Sequence, residues 1–367
     1  MKRIVGILFF FAVFLYNVPA VADAAAATLI EEKTGRVLYA FNEELELPMA
    51  STTKIMTAMV AIENCDLQEA VTAGENAFGV PGTSIYLEKG ETLTLEQMLY
   101  GLMLASGNDA AVAIAEHVGG SIAGFCDLMN ARAAELGCAH THYATPHGLP
   151  ASDHYTSALD LCRIAREAMR LPFFRQVVST QRATIPWENH EYERVLNNKN
   201  KLLSTYPGAI GVKTGYTKSA GRCLVFAAER EGMTVIGSVL NCPDWFDASA
   251  KLLDQAFADY SMYEALRSGE IVHWLPVSNG TAEGVELIAA ESLSAPLRSG
   301  EVAEIGFRWP QVQAAGFEKG ERLGTAFLTV NGEELCSVPL IAAQSVPERS
   351  FRYGLERTGA EWLFLGP

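Results

Sequence analysis

Positive charge is scarce in this sequence. Its 367 residues carry 28 Lys and Arg against 43 Asp and Glu, a net charge of −15. A phosphate backbone needs a basic surface to displace its counterions, so this balance excludes a nucleic-acid-binding role. Charge of either sign is also sparse, at 19% against 49% hydrophobic residues, which excludes a disordered chain. Three signatures are absent. Without Cys-x-x-Cys or His-Glu-x-x-His there is no short metal or redox motif, and without Gly-x-Ser-x-Gly an α/β-hydrolase elbow has no support.

The apolar run at the N-terminus, Ile4 to Tyr16, is thirteen residues long. As a helix it would cover roughly 20 Å, short of the roughly 30 Å hydrocarbon core of a bilayer. With Lys2 and Arg3 before it and Ala20-Val21-Ala22 after it, the segment reads as a secretory signal peptide spanning residues 1–22. A retained N-terminal anchor is the weaker alternative. The mature protein is therefore expected to be exported. Seven cysteines are an odd number for an oxidising compartment, so at least one is unpaired or paired between chains. Most sit inside apolar runs such as Cys223-Leu224-Val225-Phe226, where a thiol behaves as a small hydrophobe.

Beyond residue 22 the chain is long enough for two domains. Residues 27–39 read as a hairpin turning at Glu32–Gly35. Ser51–Glu63 is apolar almost all round and reads as a buried helix with a Ser/Thr start. Helical patterns recur at Leu95–Leu104, Asn108–Val118, Ile122–Leu136 and Ser157–Arg170, and Ser106-Gly107 breaks the first two. Beyond Pro207 the pattern becomes strand-like, with Ile210–Tyr216, Cys223–Glu229 and Thr234–Leu240 suggesting an antiparallel meander and Phe246–Tyr260 a closing helix. Strands at both ends of a helix-rich middle predict an α+β fold over residues 23–262, with an antiparallel sheet and a helical cluster. Residues 263–345 read as a small C-terminal β-rich domain, with a hairpin signal at Asn331-Gly332. In the tail, 346–367, Phe351, Leu355, Trp362 and Leu365 fall on one helical face that could lie on a membrane surface.

The candidate chemistry lies in three short segments. In Ser51-Thr52-Thr53-Lys54 the spacing sets an amine beside a hydroxyl on one helical face. A hydroxyl is a poor nucleophile until a base takes its proton, and a desolvated lysine of depressed pKa can be that base. The plain alternative is an N-cap serine and a solvated lysine. Ser106-Gly107-Asn108, between two helices, offers a hydroxyl and an amide that could relay a proton and hold a substrate amide, or else a simple N-cap turn. Lys213-Thr214-Gly215 follows the apolar Ala209-Ile210-Gly211-Val212, and a strand bearing these residues could pair with an added peptide strand. The same three letters recur at Lys33-Thr34-Gly35, in the turn of the early hairpin.

Together and in this order, the three segments resemble the penicillin-recognising serine enzymes. Ala50–Thr57, Ala105–Ala111, Pro146-His147-Gly148-Leu149 and Gly211–Thr217 resemble the D-alanyl-D-alanine carboxypeptidases, the low-molecular-mass penicillin-binding proteins of the serine-type peptidase family S11. The similarity covers about residues 25–262, and that family usually carries a following β domain. Gly211–Cys223 and Asp244-Trp245-Phe246 look most like a subgroup from spore-forming bacteria. The resemblance implies a β-lactamase/transpeptidase-like catalytic domain and release of the terminal D-alanine from peptidoglycan stem peptides. It also implies covalent inhibition by β-lactams and no cofactor or metal.

By the same resemblance, Ser51 is the nucleophile and Lys54 the base that later activates the deacylating water. Ser106 would pass a proton to the leaving amine, and Asn108 would hold the substrate amide and Lys54. Lys213 would supply positive potential, Thr214 would bind the terminal carboxylate, and Gly215 and Tyr216 complete the substrate-binding strand. The N–H groups of Ser51 and Tyr216 would form the oxyanion hole. Many relatives have an arginine where this chain has Trp245, so either another cation substitutes, with Arg222 a candidate, or the carboxylate is held differently. Three other readings compete: a β-lactamase of the same fold, a zinc peptidase using Cys138, His140, His142 and His147, and a non-catalytic wall-binding protein.

Overall fold

The computed structural model describes residues 23–350. The leader read at residues 1–22 lies outside the described residues, and so does the tail beyond Ser350.

β1 (Ala26–Glu31) turns back into β2 (Val37–Phe41), and the Glu31 carboxylate fixes the turn by accepting from the backbone N–H groups of Lys33 (2.8 Å) and Thr34 (2.7 Å). The chain then leaves the sheet through a 3-10 turn, Ala50–Thr53, and enters α1 (Lys54–Asn64). A ribbon of β3 (Ala70–Thr72) and β4 (Thr92–Thr94) leads to α2 (Leu95–Tyr100). Thr94 caps α2 reciprocally with Gln97. The helix runs on as a π-helical segment, Gly101–Ala105, before α3 (Asn108–Gly119). The helical cluster is completed by α4 (Ile122–Glu135), α5 (Ala158–Met169) and α6 (Pro172–Ser179). Next come the hairpin of β5 (Arg182–Ile185) and β6 (Arg194–Asn197) and the single turn α7 (Leu202–Thr205). The strands β7 (Ala209–Thr217), β8 (Gly221–Arg230) and β9 (Met233–Leu240) meander, and α8 (Trp245–Asp259) closes the unit.

β1, β2 and the meander form one antiparallel five-stranded sheet in the order β2-β1-β9-β8-β7. It is covered on both faces, which explains why its inner strands are unbroken hydrophobic runs. Along β8, Cys223, Val225 and Ala227 join the core shared with the helical cluster, while Leu224, Phe226 and Ala228 join the core under α8. Each buried Val, Leu or Phe contributes about 1.5–3 kcal/mol of transfer free energy. The α+β architecture expected from the sequence is the one observed. Among the described residues no single helix is long and apolar enough to cross a membrane.

β10 (Tyr260–Leu266) continues directly from α8, three residues before the expected start of the second domain. It pairs with β13 (Leu293–Arg298). The strands β11 (Ile271–Ser278), β12 (Gly284–Ala289), β14 (Ala303–Arg308), β15 (Gln313–Ala314), β16 (Arg322–Val330) and β17 (Glu333–Ala342) form a six-stranded sheet. Leu266, Leu293, Leu328 and Leu340 share its core. Asn331 and Gly332 join β16 to β17, both at positive φ (52° and 88°), as a two-residue hairpin turn requires. Val346 is buried in the same core, and the Arg349 N–H reaches Asn279 O at 2.8 Å, so the first tail residues pack into this unit.

Candidate active site

The start of α1 carries the chemistry, but not as a serine-capped helix. No side chain caps it; the 3-10 turn precedes it, and Ala50 sits at φ +50°. That left-handed residue is strained, as happens where a site dictates backbone direction. Lys54 is fully buried. Its Nζ donates to Asn108 Oδ1 (2.7 Å) and to the backbone carbonyl of His147 (2.8 Å), and it lies 3.0 Å from Ser51 Oγ. A neutral amine has two N–H groups and one lone pair. With both N–H groups held by carbonyls, the lone pair is left facing the serine hydroxyl.

The partners of Lys54 are held in turn. Asn108 begins α3, and its Nδ2 donates to Pro81 O at 2.6 Å, which sets the amide so that oxygen faces the lysine. The His147 segment is tied to α1 by Thr57 Oγ1, which donates to Pro146 O at 2.6 Å. Gly148, at φ +87°, runs so close to the nucleophile turn that a Cβ there would sit 1.9 Å from Ala50 O. His154 Nδ1 accepts from the Ala144 N–H (3.1 Å), so its Nε2 carries the proton and donates to Thr53 Oγ1 (2.7 Å).

Ser106 ends the π-helical segment in the left-handed conformation (φ 64°), and Gly107, not Ser106, is the N-cap position of α3. The Ser106 hydroxyl is buried and makes no hydrogen bond. A buried unpaired hydroxyl costs about 1–3 kcal/mol, so its retention points to a role other than stability.

β7 supplies the opposite wall. It is an edge strand of the sheet, with its outer side open to an added chain. Lys213 is buried and donates to Thr214 O at 3.0 Å, while Thr214, Gly215 and Tyr216 line a groove together with Ser51, Ser106 and Asn108. A Cβ on Gly215 would lie 3.0 Å from the Ser51 nitrogen, so the glycine lets the strand run against the nucleophile's backbone. The groove has a volume of about 670 Å³.

Burial dominates the electrostatics. It pulls Lys54 well below the usual amine range, and the charges of Lys213 and Lys199 pull it further. Lys213 falls to about 7, first through burial and then through Lys199. His147 drops to about 3 and His154 to about 4, mainly through desolvation, so both are neutral near pH 7.

The structure therefore brings Ser51, Lys54, Ser106, Asn108, Thr214, Gly215 and Tyr216 to one groove with Lys213 beneath it. It does not bring together Cys138, His140, His142 and His147. Cys138 lies in the core against Asp160 O, His140 meets Glu46 and His142 bonds Asp153 O, each at a separate place. Lys33-Thr34-Gly35 lies elsewhere, with Lys33 Nζ donating to Ser292 O of the C-terminal unit at 2.8 Å. All seven cysteines are free.

Lys199, the groove residues Gly82 and Thr83, and the carbonyl role of His147 escape a reading of the sequence. Lys199 sits in the polar run Asn197-Asn198-Lys199-Asn200-Lys201, which looks like a solvated loop, and a backbone carbonyl leaves no side-chain signature. Gly148 in Pro146-His147-Gly148-Leu149 is the one available signal, a glycine where the chain must approach another backbone closely. Arg222 and Trp245 also line the groove, and the Arg222 guanidinium is held by Pro243 O.

Residues 15–244 match the family described as D-alanyl-D-alanine carboxypeptidase, and residues 260–348 match the C-terminal domain of penicillin-binding protein 5. D-alanyl-D-alanine carboxypeptidase DacF of Bacillus subtilis is 34% identical over 351 residues, covering 93% of this chain and 90% of the relative. Among solved structures, penicillin-binding protein 5 from Haemophilus influenzae superposes with a TM-score of 0.73 at 27% identity, covering 89% of this chain and 98% of its own. The Streptomyces K15 DD-transpeptidase covers 64% of this chain and 97% of its own at 36% identity, with a TM-score of 0.61.

Proposed function

This chain belongs to the D-alanyl-D-alanine carboxypeptidase family, and on that premise we propose how its own residues carry out the hydrolysis. The enzyme is a serine-type D-Ala-D-Ala carboxypeptidase and a penicillin-binding protein. The observation that carries the residue roles is the buried Lys54 amine, with two carbonyl acceptors and the Ser51 hydroxyl as its partners.

A stem peptide lies along the open edge of β7 with its penultimate D-alanine carbonyl over Ser51. Lys54 Nζ takes the Ser51 proton as Oγ attacks, and the oxyanion forms against the N–H groups of Ser51 and Tyr216. Donors of this kind are worth about 3–4 kcal/mol each. The unpaired Ser106 hydroxyl passes a proton to the leaving amine of D-alanine. Asn108 keeps Lys54 aimed and faces the substrate amide. Thr214 binds the terminal carboxylate, with Lys213 supplying positive potential from below and Arg222 the exposed cation on the same wall. Water then enters, Lys54 takes its proton, and the acyl-enzyme is hydrolysed.

A β-lactamase needs a base poised for fast deacylation. Among the described residues, the carboxylates lining the groove are Asp244 and Asp247, beside Trp245 at the start of α8, and none from the stretch between Asn108 and Lys213 lines it. The buried Asp109 carboxylate is occupied by Ser84 Oγ (2.5 Å) and the N–H groups of Ile85 and Leu87. The leader read at residues 1–22 supports action on the outer face of the cytoplasmic membrane, where the substrate is. Peripheral contact of the tail with that membrane belongs to the same reading and rests on the spacing of Phe351, Leu355, Trp362 and Leu365.

The test is release of D-alanine from an acyl-Lys-D-Ala-D-Ala peptide, with and without a chelator. Release should survive the chelator and fall at least about a thousandfold in Ser51→Ala. Release that is unchanged in Ser51→Ala would mean another nucleophile, and none from folded protein would remove the carboxypeptidase reading.

A further inference from the structure

A set of metal-ligating side chains that no sequence motif announces does converge, far from the groove. Cys65 ends α1, Glu69 lies just beyond it, and His117 stands in the last turn of α3. One ligand atom from each lies within 4.8 Å of the other two. We propose that Cys65, Glu69 and His117 form a binding site for a divalent cation of zinc type, joining the C-terminal ends of the two helices whose first residues are Lys54 and Asn108.

The donor set fits that ion. Thiolate, imidazole and carboxylate are the ligands zinc takes, and three of them leave a fourth position for water. Around a tetrahedral zinc, neighbouring ligand atoms stand about 3.3–3.6 Å apart, from bond lengths of roughly 2.0–2.3 Å. His117 Nε2 and Glu69 Oε2 are already 3.2 Å apart. The site is also held from behind, as metal ligands are. The Asp66 N–H donates to Glu69 Oε1 at 2.7 Å, leaving Oε2 for the ion. The Leu95 N–H bonds Glu69 O at 2.9 Å, and the Cys65 N–H bonds Ala61 O at 3.1 Å, so the backbones are fixed.

The site takes no part in peptide hydrolysis. α1 is eleven residues long, so about 16 Å separates its two ends. The proposal therefore stands or falls independently of the reaction assigned to the groove. A metal here would staple the far ends of the helices that hold the nucleophile's partners.

The test uses the purified chain stripped with a chelator, then titrated with Co²⁺ and displaced by Zn²⁺. The expected result is one ion per chain and a thiolate-to-cobalt charge-transfer band. Cys65→Ser should abolish the band, and Glu69→Gln and His117→Ala should each weaken binding by at least about tenfold. Labelled penicillin should still acylate each variant, which reports an intact fold. In the wild-type chain, zinc should shield Cys65 from a maleimide, read by peptide mapping, so the proposal does not depend on any variant folding. Substoichiometric binding, a band that persists in Cys65→Ser, or a Cys65 that zinc does not shield would overturn it.

Discussion

Two buried amines, Lys54 and Lys213, have carbonyl and hydroxyl oxygens rather than carboxylates for partners. Burying an uncompensated charge is costly, so each is driven toward its neutral form. For Lys54 that is the state its role requires. Lys199 contributes by repulsion, lowering both neighbours. Replacing it by methionine removes that repulsion, so both amines rise. Acylation needs neutral Lys54, giving the acid limb, and charged Lys213, giving the alkaline limb. Both limbs of the pH profile for acylation by a small β-lactam should therefore move to higher pH in Lys199→Met. A profile left in place would mean that Lys199 acts only in binding. The same reasoning predicts acid sensitivity. His154 bonds through an unprotonated Nδ1, and the unfolded histidine takes its proton first as pH falls from about 6.5. Its contribution to stability is thus full above that pH and is lost progressively toward about 4.

Elements set the groove walls, and one buried ion pair holds two of them together. Arg194, in β6, pairs with Glu91, just before β4, at 2.5 and 2.7 Å, with both side chains almost wholly buried. Arg194 also donates to Tyr86 O and Pro186 O, so the segment carrying Gly82 and Thr83 is braced against the β5–β6 hairpin. Removing one partner leaves the other charge buried and unpaired, which costs about 3–5 kcal/mol. Glu91→Ala should lose that much in denaturant unfolding, whereas Glu91→Leu combined with Arg194→Met should lose clearly less. Equal losses would show that packing, not charge, matters there. Neither residue stands out in the sequence, because their pairing spans 103 positions.

At the scale of the whole molecule, the turn carrying Lys33-Thr34-Gly35 joins the two units. Lys33 reaches Ser292 O, Arg36 pairs with Glu301 and Pro296 O, and Arg298 pairs with Asp259 at 2.9 Å. Arg36 and Arg298 both stack on Tyr260, where α8 passes into β10. None of these residues lines the groove that holds Ser51. Arg36→Ala should therefore speed proteolysis across residues 259–267 while leaving the rate of penicillin acylation unchanged. Slower acylation would mean that the C-terminal unit supports the site.

Local sequence determined a good deal. The hydrophobic runs Cys223–Glu229 and Thr234–Leu240 identified strands of a meander, and Asn331-Gly332 signalled a hairpin turn. Ser51 and Lys54 lie three residues apart, and that spacing held because a single turn of backbone delivers both groups. Other features were decided only in three dimensions. Nothing local distinguishes Lys213-Thr214-Gly215 from Lys33-Thr34-Gly35; the difference is that one lies on a sheet edge against the Ser51 turn. Ser51-Gly215 closeness, the His147 carbonyl on Lys54 and the influence of Lys199 all join segments far apart in the chain. The amine becomes a base because the surrounding core removes water from it, and desolvation is a property of the packed molecule rather than of any stretch of its sequence.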